Sequence, residues 1–162
     1  MLVISEKAYV SKLADIEESV RGTDIIIDEG VRIDSFVKIK PAGGSGDVHI
    51  GRNSHINSCT VIYSGNGVLI GEDVLIAANC TLAPVNHRYA SKDIKIKEQR
   101  FLPSKGGIII EDDVWIGANC VLLDGAIIRK GCVVGANSLV NCELESYSIN
   151  YGSPTRRIGY RK

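Results

Sequence analysis

Along most of this chain an isoleucine, valine or leucine returns at every sixth residue, with small or polar residues between. Ile4, Val10 and Ile16 form one triplet of such anchors, and Ile27, Ile33 and Ile39 form the next. Ile50, Ile56 and Ile62 follow, then Ile70, Ile76 and Leu82, then Ile110, Ile116 and Leu122, and finally Ile128, Val134 and Val140. Four residues after most anchors stands a second, mostly smaller class that includes Ala8, Ala14, Val20, Val31, Ser54, Val74, Cys80, Cys120 and Ser138. Residues two apart in a strand share a face, so each such residue and the anchor after it point inward together. Stretches such as GEDVLIAANC and RKGCVVGANS put Gly, Asn and Asp between those inward pairs, where turns need them. A period of six fits neither a helix nor a long alternating strand. Three short strands per coil, with coils stacked about 4.8 Å apart, do fit it. The prediction is an all-β chain wound as a parallel β-helix of about six triangular coils.

The count breaks four times: from Ile16 to Ile27, Ile39 to Ile50, Ile62 to Ile70 and Leu82 to Ile110. Each break follows the third anchor of a triplet, so all four insertions leave the prism at one corner. Insertions that map to one side of a repeat protein often mark its binding face. The longest is an excursion over residues 83–109. After Val140 the repeat is read as decaying, with Leu144 in a second-class position and Ser146 at an anchor. Residues 146–162 are expected to form a basic cap over the open end.

Composition narrows the class. A chain of 162 residues with 44% hydrophobic residues reads as a single domain over 1–162. Lys and Arg number 19 and so do Asp and Glu, a neutral balance that argues against binding nucleic acid. No signal-like or membrane-spanning apolar run occurs, so a cytoplasmic protein that does not engage a membrane is expected. The five cysteines lack zinc-ligand spacing and are odd in number, so they are read as small buried hydrophobes.

Only three histidines are present. His49 and His55 each precede an anchor, so alternation turns them outward as surface residues. His87 stands five residues after Leu82, where the chain departs into its long excursion. Imidazole, with an ordinary pKa near 6.5, is suited to proton transfer at neutral pH.

The units IGRNSH, IGEDVL, IGANCV and VGANSL, the segment VWIGANCVLLDGAIIRKGCVVGANSLV and the closing YGSPTRRI resemble the hexapeptide-repeat acyltransferases. Within that family the likeness is strongest to the maltose and galactoside O-acetyltransferases and their relatives in polysaccharide biosynthesis. The resemblance implies a left-handed coil, whereas the general crossover rule favours the right hand. It also implies a homotrimer with acetyl-CoA as acyl donor, no metal, and a sugar hydroxyl as acceptor. His87 matches the family's general base. Asn57 matches an asparagine at the acceptor site, and Trp115 an aromatic wall for sugar or pantetheine. Ala118 and Ala136 match small positions along the pantetheine arm, and Asn141 stands where relatives often have threonine. Arg156, with Arg157 beside it, matches the basic tail that reaches CoA phosphate, a role that suits the planar guanidinium. N-acetylation of a nucleotide-linked amino sugar is the alternative reaction, and a non-catalytic scaffold the alternative class. Related β-helical carbonic anhydrases need three zinc-binding histidines, of which only His87 is in place here.

Overall fold

The computed structural model describes residues 1–162. Its strands, two to five residues long, stack into three sheets that are the faces of a prism. The first face contains Leu2–Ile4, Ile25–Ile27, Val48–Ile50, Val68–Ile70, Ile108–Ile110, Ile127–Ile128 and Glu143–Leu144. The second contains Tyr9–Val10, Arg32–Ile33, His55–Ile56, Leu75–Ile76, Trp115–Ile116, Val133–Val134 and Ser148–Tyr151. Asp15–Ile16, Lys38–Lys40, Val61–Tyr63, Thr81–Ala83, Val121–Leu123 and Leu139–Val140 make the third. The chain visits the faces in rotation, giving six complete coils and part of a seventh.

Anchors stack on anchors. Ile27, Ile50, Ile70, Ile110 and Ile128 are successive partners up the first face. Twenty-eight buried residues form one core, in which anchors from Ile25–Ile27 upward alternate with the second class, including Val31, Val74, Cys80 and Cys120. Each fully buried isoleucine contributes about 1.5–3 kcal/mol of transfer free energy. Small second-class side chains let three faces converge without overfilling the centre.

The turn chemistry follows from one backbone requirement. The third residue after an anchor adopts positive φ at Asn53 (58°), Asp73 (56°), Asn79 (62°), Asp113 (56°), Asn119 (59°) and Asn137 (59°). Asn and Asp tolerate that left-handed region better than other non-glycine residues. Asn79 also donates from Nδ2 to Asn119 Oδ1 across coils at 2.7 Å.

Three expectations need correction. Val20 is 97% exposed, because the first insertion shifts the inward position to Ile25, two residues before anchor Ile27. Leu144 is itself an anchor, paired with Ile128, and Asn150 pairs with Val134 in the same way. The turn after Val140 is two residues shorter than the others, so the repeat changes phase there without ending. Among the cysteines, Cys80, Cys120 and Cys132 are buried but Cys59 and Cys142 are exposed.

Residues Ser148–Tyr151 thus belong to the last coil, and Arg156–Tyr160 folds back antiparallel on them. That strand covers the open edge of the second face alone. Tyr160 Oη donates to Glu145 at 2.6 Å, and Arg161 pairs with Asp113 at 2.8 Å, fastening the tail across the top coils.

Candidate functional site

All four insertions leave between the third face and the first, as counting anchors predicts. They also bond to one another. Gly46 N–H donates to Gly65 C=O at 2.9 Å, Asn66 N–H to Pro84 C=O at 3.1 Å, and Ile108 N–H to Gly67 C=O at 3.0 Å. A Cβ on Gly44 would lie 2.2 Å from Gly65 O, so the stacked loops require glycine at that contact. The long excursion rises from this platform, with the regular strands ending at Ala83 and resuming at Ile108.

Three groups give the excursion its shape. Buried Asp124 accepts from Lys105 N–H at 2.8 Å and Gly107 N–H at 2.9 Å, pinning its return to the prism. Gln99 accepts from Ser91 N–H at 3.1 Å and donates to Ser91 C=O at 2.9 Å and Ile94 C=O at 2.7 Å. At its root, His87 and Phe101 form an antiparallel bridge, flanked by Leu102 N–H to Asn86 C=O at 2.8 Å and Arg88 N–H to Arg100 C=O at 2.9 Å.

His87 is therefore held by its backbone while its side chain stays exposed. Its ring lies 4.5 Å from the Phe101 ring, tilted by 46°, and that contact limits its rotation. No carboxylate of the chain pairs with it. The other two histidines do have carboxylates, with His49 Nε2 3.0 Å from Asp28 and His55 Nε2 3.1 Å from Asp34. Both face outward from the coils, as alternation requires, and both are part-buried by these neighbours.

The remaining candidates are distributed over the prism. Asn57, Ala118 and Ala136 follow second-face strands and share the corner between the second and third faces. There Asn57 Nδ2 donates to Ile76 C=O at 2.7 Å, which leaves its Oδ1 as the free polar atom. Gly117, beside Ala118, approaches the next coil so closely that a Cβ would meet Ala136 N at 2.5 Å. Ala118 is part-buried and Ala136 exposed, and their methyl groups keep this edge narrow. Trp115 projects from the second face, 46% exposed, in a shallow pocket with Leu75, Asp113, Val133 and Arg161.

Asn141 is exposed at the corner from which the long excursion leaves. Arg157 is engaged by Glu145 at 2.7 Å and stacks over Tyr160 at 4.8 Å, whereas Arg156 has no ion-pair partner. A single chain thus brings Asn57, Ala118 and Ala136 to one corner and His87 and Asn141 to another. It does not bring the two groups together, because the third face lies between them.

Asp124 and Gln99 escape sequence reasoning. The DG pair at Asp124 looks like an ordinary turn, and its burial depends on the returning excursion. No three His, Cys, Asp or Glu side chains converge as a metal site. No helix is long and apolar enough to cross a membrane.

Comparison with known proteins adds three findings. Residues 107–142 match the family described as bacterial transferase hexapeptide (six repeats). Galactoside O-acetyltransferase of Escherichia coli is 35% identical over 112 residues, 69% of this chain and 53% of that protein. The chain spans about half the length of the curated relatives it matches.

Among solved structures, a hexapeptide-repeat-containing acetyltransferase of Vibrio cholerae is 30% identical, with a TM-score of 0.66 over 76% of this chain and 68% of that one. A variant of AntD, an N-acyltransferase of Bacillus cereus in complex with dTDP-4-amino-4,6-dideoxyglucose and coenzyme A, is 28% identical. Its TM-score is 0.80, over 99% of this chain and 84% of that one. The shared architecture is the left-handed parallel β-helix.

Proposed function

Because the chain belongs to the hexapeptide-repeat acetyltransferase family, we propose that it transfers an acetyl group from acetyl-CoA to a sugar or polysaccharide-precursor hydroxyl. The observation that carries this reading is His87, exposed and held by its backbone at the root of the only long excursion. Its imidazole takes the acceptor's hydroxyl proton as the oxygen bonds to the thioester carbonyl carbon. The carbon–sulfur bond breaks, and the same proton passes to the departing thiolate. Atoms and charge balance without a metal or an oxidant.

Small residues at Ala118 and Ala136 suit a narrow pantetheine arm, with Asn141, Arg156 and Arg157 assigned to the rest of the coenzyme. Arg156, free of any ion pair in the chain, is the residue of that group best able to take a phosphate. Asn57 and Trp115 are assigned to the acceptor. Since the site residues occupy separate corners, the reading includes a homotrimer in which the excursion of one copy reaches the small-residue corner of the next. The cytoplasm, which supplies acetyl-CoA, is the proposed compartment.

The likeness to AntD supports a second reading, N-acylation of a nucleotide-linked amino sugar, with the same base. Release of CoA thiol, measured over a panel of sugars, amino sugars and nucleotide sugars, separates the two acceptors. Undiminished turnover in His87→Ala, or failure of the native protein to bind acetyl-CoA, overturns the catalytic reading. Sedimentation of the native chain as a monomer overturns the shared site.

A further inference from the structure

The neutral charge of the chain conceals an uneven distribution. Residues 84–107 carry six basic side chains, Arg88, Lys92, Lys95, Lys97, Arg100 and Lys105, against two acidic ones, Asp93 and Glu98. The rest of the molecule is therefore acidic by the same margin. None of the six basic residues takes part in an ion pair, although the coils below contain several.

Two of these cations sit on paired backbone segments. Arg88 and Arg100 oppose each other next to the His87–Phe101 bridge. Like charges directly opposite on paired strands are destabilising. Arg100 also adopts a φ of 61°, a region that disfavours long side chains. Arg88 Nε donates to Phe101 C=O at 3.0 Å, which fixes the guanidinium and leaves its terminal N–H groups available.

Arg88 also lines an open cavity of about 600 Å³, with Tyr89, Ser91, Gln99, Leu102 and Pro103 around it. Gln99 spends its amide on the surrounding backbone and so holds the walls in place. A preformed cavity loses less entropy when a ligand enters it. An aromatic ring and a hydroxyl suit a sugar ring, while a braced guanidinium suits an oxyanion. A neutral sugar would leave the opposed cations unexplained. An extended polyanion would meet the acidic coils below.

We propose that this cavity binds an acceptor saccharide bearing a phosphate or carboxylate, with Arg88 in its wall holding that oxyanion and Arg100, opposite it on the backbone, adding positive charge. The proposal rests on His87 as the base, because it holds the acceptor on the same pair of segments that carries His87. Coenzyme A carries phosphates too, so the decisive comparison varies acceptor and donor separately.

Calorimetry on the intact native assembly compares galactose 1-phosphate and glucosamine 1-phosphate with galactose and glucosamine. The phosphorylated sugars are expected to bind about tenfold tighter, a preference falling below about threefold in Arg88→Gln/Arg100→Gln while acetyl-CoA affinity stays within about twofold. Arg100→Gln alone keeps the Arg88 brace, and a circular dichroism melt confirms folding of each variant. Equal binding of charged and neutral sugars, or no binding of either phosphate, overturns the proposal. Parallel loss of acetyl-CoA affinity assigns the cations to the donor, and a smaller assembly mass assigns them to a subunit contact; either also overturns it. His87→Ala should keep the phosphate preference. A native protein that shows the preference but no turnover refutes only the catalytic reading.

Discussion

The coils and the excursion over residues 84–107 are held by different kinds of interaction. Between the first and last coils each anchor has an equivalent above and below, and Ile27, Ile50, Ile70 and Ile110 are equivalent members of one column. The excursion has no such redundancy. One carboxylate, Asp124, pins its return, one amide, Gln99, shapes its tip, and Ile94 and Ile96 remain at least half exposed. Repetition gives the prism stability that a local change reduces only in part. Single contacts give the excursion a specific shape that a single substitution removes.

The sharpest way to separate the regions is His87→Ala. Turnover is expected to fall by about 10²–10⁴-fold, while the thermal midpoint stays within error of the native value, because no packed core is touched. A large loss of stability would show that the excursion supports the prism. Ile116→Ala should do the reverse. It empties a buried column position and is expected to cost about 2–5 kcal/mol in urea denaturation, partly because neighbouring coils cannot close the gap.

Asp124→Ala tests the joint between the two. Two backbone donors lose their acceptor, at an expected cost of about 1–3 kcal/mol. Faster proteolysis is expected within 84–107 and not in the coils; uniform cleavage would contradict the separation.

The smallest effect concerns a rung on the coils alone. Hydrogen bonds from Arg129 and the Lys130 N–H hold the Glu111 carboxyl below its ordinary pKa of 4.5. A depressed folded pKa adds stability that is full above the unfolded value and is lost as pH falls through the folded one. Native and Arg129→Gln melting temperatures should therefore differ most above about pH 4.5 and converge on acidification. A gap that stays constant to pH 2.5 would remove the pair as its cause.

The same contrast explains what the sequence disclosed. Anchors such as Ile33 and Leu122 are legible because a six-residue period repeats one environment, and the corner used by the insertions follows by counting. Val20 departs from the count because the count assumes equal steps and the first insertion resets it. Leu144 departs from it for a related reason, since a turn two residues short looks like decay of the pattern. Asp28 and Asp34, the partners of His49 and His55, lie a whole coil away in sequence and gave no local signal. Asp124 and Gln99 bond to an aperiodic segment, where no spacing rule applies. The position of His87 at a break follows from the count and its proposed role from the family resemblance, whereas its Phe101 contact and its lack of a carboxylate partner require coordinates.

The exit of every insertion through one corner also has a consequence for how such a molecule can be altered. Strand pairing on the first and second faces never depends on the length of that connection, so the corner works as a port into which segments of seven, ten or twenty-seven residues between anchors fit without disturbing the ladder. New recognition elements can be exchanged there while the rest of the prism is inherited unchanged. Selectivity and stability can then vary as separate traits of one chain.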